Sequence, residues 1–200
     1  MTVISATLVK QLRDKTGAGM MECKAALSES NGNLDEAVTL LRKRGLAQAA
    51  KRAGRATAQG LVGSYIHMGG KIGVLVEVNC ESDFVARTDA FQDLVKELAM
   101  HVAAADPKWV KREDVAADAI DKERGIYRAQ LEGSGKPASV IEKIIEGKLG
   151  SFYSQFVLLD QPFVRDPNLT IAQLVAETSA KTGENITVNR FTRYRIGDSE

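Results

Sequence analysis

The apolar residues of this chain change period along its length, and that change constrains the fold more than any other feature. Over the first 45 residues they recur at helical spacing: Leu8, Val9 and Leu12, then Met20, Cys23, Ala26 and Leu27, then Leu34, Ala37, Val38 and Leu41. After Arg55 the period drops to two. Leu61 to His67 and Ile72 to Val78 read as strands, with Met68-Gly69-Gly70-Lys71 as the turn between them. In the second strand Ile72, Val74, Val76 and Val78 share one face and Gly73, Leu75 and Glu77 the other. Helical spacing then returns with Phe91, Leu94, Val95, Leu98 and Val102. A pattern of period 3.6 does not sit as a strand, nor one of period two as a helix, so the chain is α+β.

Local signals place the element ends. Ser5 caps the first helix, which stops at Thr16-Gly17-Ala18-Gly19; Ser30-Asn31-Gly32 ends the second, and Asn33, with Glu36 three residues on, opens the third. Ser82 opens one long helix that Asp106-Pro107 terminates. Residues 112–150 are charged and helical, broken by Gly133-Ser134-Gly135-Lys136-Pro137. Phe152, Phe156, Val157, Leu158 and Leu159 supply core material. Thr170 caps a last helix from Ile171 to Lys181, and Asn185 to Ile196 alternates as a third strand. The expected architecture is a three-helix bundle with a basic linker over residues 1–55, then an α+β domain over 56–200 with a three-stranded antiparallel sheet and flanking helices.

Charge supports two pieces with different surfaces. Residues 1–60 carry ten Lys or Arg against five Asp or Glu, whereas residues 61–200 carry seventeen against twenty-one. The basic run from Arg42 to Arg55 has no acid and no aromatic residue, so a solvated helical linker is favoured over a nucleic-acid site. No apolar run approaches the roughly 20 residues of a membrane span, and the opening Met1 to Leu8 lacks the basic region of a secretory signal. Two distant cysteines, Cys23 and Cys80, make neither a disulfide framework nor a zinc site; reduced thiols and a cytoplasmic location are expected.

The search for chemistry returns little. Gly133-Ser134-Gly135-Lys136 ends like a phosphate-binding loop, but position 130 is Gln and position 137 is Pro. Gly17-Ala18-Gly19 follows no strand. Cys80 has only His67 and His101 as conceivable bases, and a cysteine at a strand end reads better as core. No metal-ligand spacing occurs, so neither an enzyme nor a cofactor is expected. Two places stay unexplained. Met20 and Met21 point about 100° apart at a helix start, so that one of them is exposed. Asp83 and Phe84 follow a natural cap, Ser82; Phe84 either extends the core stripe seven residues before Phe91 or forms a probe at an exposed corner, and spacing alone leaves both open.

Those same residues carry a resemblance. Leu8 to Leu27 through Thr16-Gly17-Ala18-Gly19-Met20-Met21-Glu22-Cys23, then Val78-Asn-Cys-Glu-Ser-Asp-Phe-Val-Ala-Arg87, then Gly183-Glu-Asn-Ile-Thr-Val-Asn-Arg-Phe191 are similar to the three signatures of the bacterial translation elongation factor Ts family, in the family's order and from end to end of the chain. The resemblance implies a nucleotide exchange factor for elongation factor Tu, the GTPase that delivers aminoacyl-tRNA, and a ubiquitin-associated-like N-terminal module. It implies that Ser82, Asp83, Phe84 and Val85 enter the partner near its magnesium site, with Ser82 where the family usually has Thr. Leu12, Met20 and Met21 would dock the module on the partner's GTPase domain. The chain has one strand–helix core and resembles the short members, which implies a homodimer that binds no nucleotide, nucleic acid or membrane of its own. The alternative is a peptide- or RNA-binding head on a scaffold, in which Asp83 and Phe84 have no part.

Overall fold

The computed structural model describes residues 4–198, so the first three residues of the stretch read for a targeting signal lie outside it. In chain order the elements are α1 (Ala6–Thr16), α2 (Met20–Glu29), α3 (Leu34–Arg52), β1 (Gln59–Ile66), β2 (Ile72–Cys80), α4 (Asp83–Ala86), α5 (Asp89–Ala105), α6 (Ala117–Leu131), α7 (Ala138–Phe156), β3 (Pro162–Phe163), β4 (Asp166–Thr170), α8 (Ile171–Thr182) and β5 (Ile186–Arg195). The fold is α+β as expected, with an antiparallel sheet in the order β1-β2-β5 and a separate β3–β4 hairpin. The chain divides into two compact units, Met1–Leu61 with Val78–Leu94 and Gln173–Thr187, and Val62–Glu77 with Val95–Ala172 and Val188–Glu200.

In the first unit, local chemistry sets the helix ends. Ser5 Oγ accepts from the Leu8 N–H at 3.2 Å, and α1 stops at Gly17, whose φ of +70° suits a residue without Cβ. Asn33 Oδ1 accepts from the Asp35 and Glu36 N–H groups at 3.0 and 3.2 Å. With short loops between them, α1, α2 and α3 enclose one core of Val9, Leu12, Cys23, Ala26, Leu27, Ala37 and Leu41.

The basic stretch is helical as expected through Arg52, and four of its six basic side chains make contacts within the chain. α3 runs unbroken to Arg52. Arg42 pairs with Glu177 at 2.8 Å, Arg44 with Glu29 at 2.5 Å and Arg55 with Glu81 at 3.5 Å, while Arg52 donates to the Ser179 carbonyl at 3.3 Å. A Cβ on Gly45 would lie 3.0 Å from that of Ala180, so this glycine lets α3 lie close against α8. The long helix expected after Ser82 is also broken. Thr88 Oγ1 donates to the Val85 carbonyl at 2.7 Å, closing α4, and accepts from the Phe91 N–H at 3.4 Å, capping α5.

In the second unit the inward face of β2 buries Val74 and Val76, and the stripe of α5 buries Val95, Leu98 and Val102. A Cβ on Gly63 would come within 2.2 Å of Val95 Cγ1, which explains the bare position in β1. α6 and α7 form a helical hairpin laced by Arg124–Glu146 at 2.8 Å and Arg128–Glu142 at 2.7 Å. The hairpin base packs Val115, Phe152 and Val157 with Trp109, Tyr153 and Phe156. The β3–β4 hairpin was not expected: strands of two and five residues show no period. His101 supports it from inside. The Val164 N–H donates to His101 Nδ1 at 3.4 Å, so the imidazole proton sits on Nε2 and faces Gln161 Oε1 at 2.9 Å.

Candidate partner-binding site

β2 ends at Cys80, and the chain turns through Glu81 and Ser82 into the single turn of α4. Ser82 caps that turn, its Oγ accepting from the Val85 N–H at 3.4 Å. The cap divides the four residues of the expected site. Val85 faces inward and is buried. Phe84 points outward with 77% of its surface exposed, so of the two readings open from spacing the core one fails and Phe84 stands at an exposed corner. Single exposed apolar side chains are common on protein surfaces, so what marks Phe84 is its place, on a capped turn between a strand and a helix.

Asp83 is about half exposed and pairs with Arg87 one turn on, at 2.7 Å. In the free protein its charge is therefore offset by a guanidinium that is itself largely solvated, a pair of small net strength. A partner offering a stronger positive charge or a hydrogen-bond donor can displace Arg87 at little cost.

Two glutamates hold the turn from behind. Glu184 Oε2 accepts from the Glu81 and Ser82 N–H groups at 3.1 and 3.0 Å, and Glu184 Oε1 accepts from Ser82 Oγ at 2.5 Å. In return, Glu81 Oε1 accepts from the Asn185 N–H at 2.6 Å, and Asn185 Nδ2 donates to the Arg55 carbonyl at 2.8 Å. The sequence reading did not single out Glu184 or Asn185. Both lie in the third stretch that carries the resemblance, but their partners are 102 to 130 residues away.

Cys80 is buried, and its thiol donates to the Ser82 carbonyl at 3.1 Å. Burial, and secondarily the negative charge of Glu184, push its pKa up. Such a sulfur stays protonated at neutral pH and is a poor nucleophile. The raised pKa thus speaks against Cys80 acting as a nucleophile with His67 or His101 as base.

The N-terminal residues separate in the same way. Leu12 is fully buried between α1, α2 and α3. It holds the module together and presents nothing to a partner, which corrects its expected place in a docking contact. Met20 and Met21, at the start of α2, are 51% and 74% exposed. Both are therefore exposed where only one was expected. Long, unbranched thioether side chains of this kind adapt to an apolar partner surface.

A family model described as Elongation factor TS matches residues 3–198. The chain is 58% identical over 200 residues to Elongation factor Ts of Solibacter usitatus, covering all of this chain and 94% of that protein. It is 60% identical over 195 residues to Elongation factor Ts of Fervidobacterium nodosum, covering 98% of this chain and 99% of that one. With Elongation factor Ts of Thermosipho melanesiensis it shares 57% over 196 residues, 98% of this chain and 100% of that protein.

Proposed function

Since the chain belongs to the elongation factor Ts family, a family of nucleotide exchange factors for elongation factor Tu, we propose that it releases GDP from that GTPase with Phe84 and Asp83 as the acting residues. The observation that carries this reading is the exposure of Phe84 on a turn that its own chain holds in place. GDP is held in a GTPase by magnesium and by backbone donors around its phosphates. A protein that binds the nucleotide-free form better than the loaded form weakens the nucleotide by the same coupling free energy. Phe84 entering beside the magnesium site, with Asp83 near the cation, disturbs the ligands of the metal and loosens the phosphates. GTP in excess then refills the site.

The exchange factor needs no covalent chemistry for this, nor a nucleotide pocket of its own. Met20 and Met21 dock the N-terminal module, and two copies of the chain work together, as the likeness to the short members supports. The basic run is mostly engaged within the chain, by Glu29, Glu81, Glu177 and the Ser179 carbonyl, which weighs against the alternative of an RNA-binding head.

The test is the rate at which labelled GDP leaves elongation factor Tu in stopped flow, with wild-type protein and with Phe84→Ala. Wild type accelerates release, and Phe84→Ala loses most of the acceleration. A Phe84→Ala protein as active as wild type would remove the wedge from the mechanism.

A further inference from the structure

We propose that Glu184 is a positioning residue for nucleotide exchange: its carboxylate fixes the Glu81–Ser82 turn and so aims Phe84. The assignment rests on the exchange reading above. α4 is a single turn of four residues, too short to hold its own direction, since one helical turn is unstable without outside support. What supports it lies in the short loop between α8 and β5. One oxygen of Glu184 takes the N–H groups of both Glu81 and Ser82, and the other takes the Ser82 hydroxyl proton. That second bond does more than tether Ser82. It turns the hydroxyl proton away from α4 and leaves an oxygen lone pair for the Val85 N–H. The side chain thus acts along a chain of contacts, from Glu184 through Ser82 Oγ and the Val85 N–H to the turn that carries Phe84.

The geometry also says what a substitute must do. Glutamine has the same length; its carbonyl oxygen can take both backbone N–H groups, and its amide can donate to Ser82 Oγ. Alanine leaves two backbone donors and the hydroxyl without this partner. Charge is then dispensable and reach is not.

The experiment measures GDP release from elongation factor Tu against factor concentration for wild type, Glu184→Ala, Glu184→Gln, Phe84→Ala and the Phe84→Ala/Glu184→Ala double variant. It is run where far-UV circular dichroism shows every variant folded. Glu184→Ala should lower the maximal release rate at least roughly tenfold while shifting the half-saturating concentration less than about threefold, because docking through Met20 and Met21 is untouched. Glu184→Gln should stay within about threefold of wild type, and in the Phe84→Ala background Glu184→Ala should cost less than about twofold, since it acts through a ring already absent. Hydrogen exchange of the Ser82 amide should quicken in Glu184→Ala and not in Glu184→Gln.

A Glu184→Ala protein that releases GDP like wild type, while Phe84→Ala does not, overturns this assignment alone. So does an alanine effect that is equally large with and without Phe84, or a Glu184→Gln protein as impaired as Glu184→Ala. A wild-type protein that leaves GDP release unchanged overturns the exchange reading, and this assignment with it.

Discussion

Phe84 and Val85 are neighbours with opposite surroundings, and the difference makes the wedge testable by stability as well as by rate. Truncating a core phenylalanine costs about 3–5 kcal/mol, whereas an exposed substitution usually changes stability by within about 0.5 kcal/mol. At 77% exposure Phe84 belongs to the second class, so Phe84→Ala should melt within a few degrees of wild type while failing to exchange. Asp83→Ala removes an exposed pair with Arg87, worth about 0.3–0.5 kcal/mol in a helix, and should also spare the fold. If Asp83 acts on the partner's cation as proposed, its effect on GDP release should shrink in EDTA, where that cation is already gone. Thermal melting beside release rates, with and without chelator, decides both points.

His101 makes a second prediction at this scale. Burial lowers its pKa, with the Gln161 contact acting weakly the other way. The unfolded chain, with a histidine near its ordinary value of about 6.5, therefore binds the proton more readily than the folded one. Stability from this residue is complete above that value and is lost as pH falls from it toward the lower folded pKa. Protonating Nδ1 would also set a proton against the Val164 N–H. The melting temperature should fall as pH drops below that ordinary value, with the His101 imidazole titrating below it by NMR. An imidazole titrating at its ordinary value would contradict this.

Among the elements, α2 carries a sharp division along its own length. Its buried side, Cys23, Ala26 and Leu27, holds the three-helix core, and its first turn offers Met20 and Met21 to solvent. Replacing both methionines with Asp should leave far-UV circular dichroism unchanged. It should raise the dissociation constant for elongation factor Tu at least roughly tenfold, about 1.4 kcal/mol. Loss of helicity in the double variant would mean that these side chains support the bundle after all. Leu12, on α1, marks the opposite case: it shares a sequence stretch with the methionines, yet it is sealed inside, and its loss would act on the module and not on the contact. α4 and α5 show how little is needed to redraw an element. Where the two helices part, the Thr88 hydroxyl bonds backward to the Val85 carbonyl and accepts forward from the Phe91 N–H.

For the molecule as a whole, both cysteines are free and buried. If two copies associate, as proposed, no disulfide joins them. Sedimentation at tens of micromolar should give a dimer that is indifferent to reducing agent; a monomer, or a dimer that reductant dissolves, would contradict the proposal. At this scale the division between sequence and tertiary structure is plain. The α+β class, the three N-terminal helices with the Ser5 and Asn33 caps, the period-two strands and the buried stripe of α5 were legible in sequence because each depends on neighbours within a few residues: a cap two or three positions away, or an apolar side chain one turn on. So was the Ser82 cap that sets Asp83 and Phe84 at a corner. The rest depended on residues far apart in the chain. Whether Phe84 was core or probe turned on what stood over it. The basic side chains of α3 were solvated or engaged according to the placement of Glu177 and Ser179, and the turn that carries Phe84 was anchored by Glu184, more than a hundred residues on. Local spacing carries no information about such pairs, because a hydrogen bond or an ion pair depends on distance in space, and only the closed fold sets that distance.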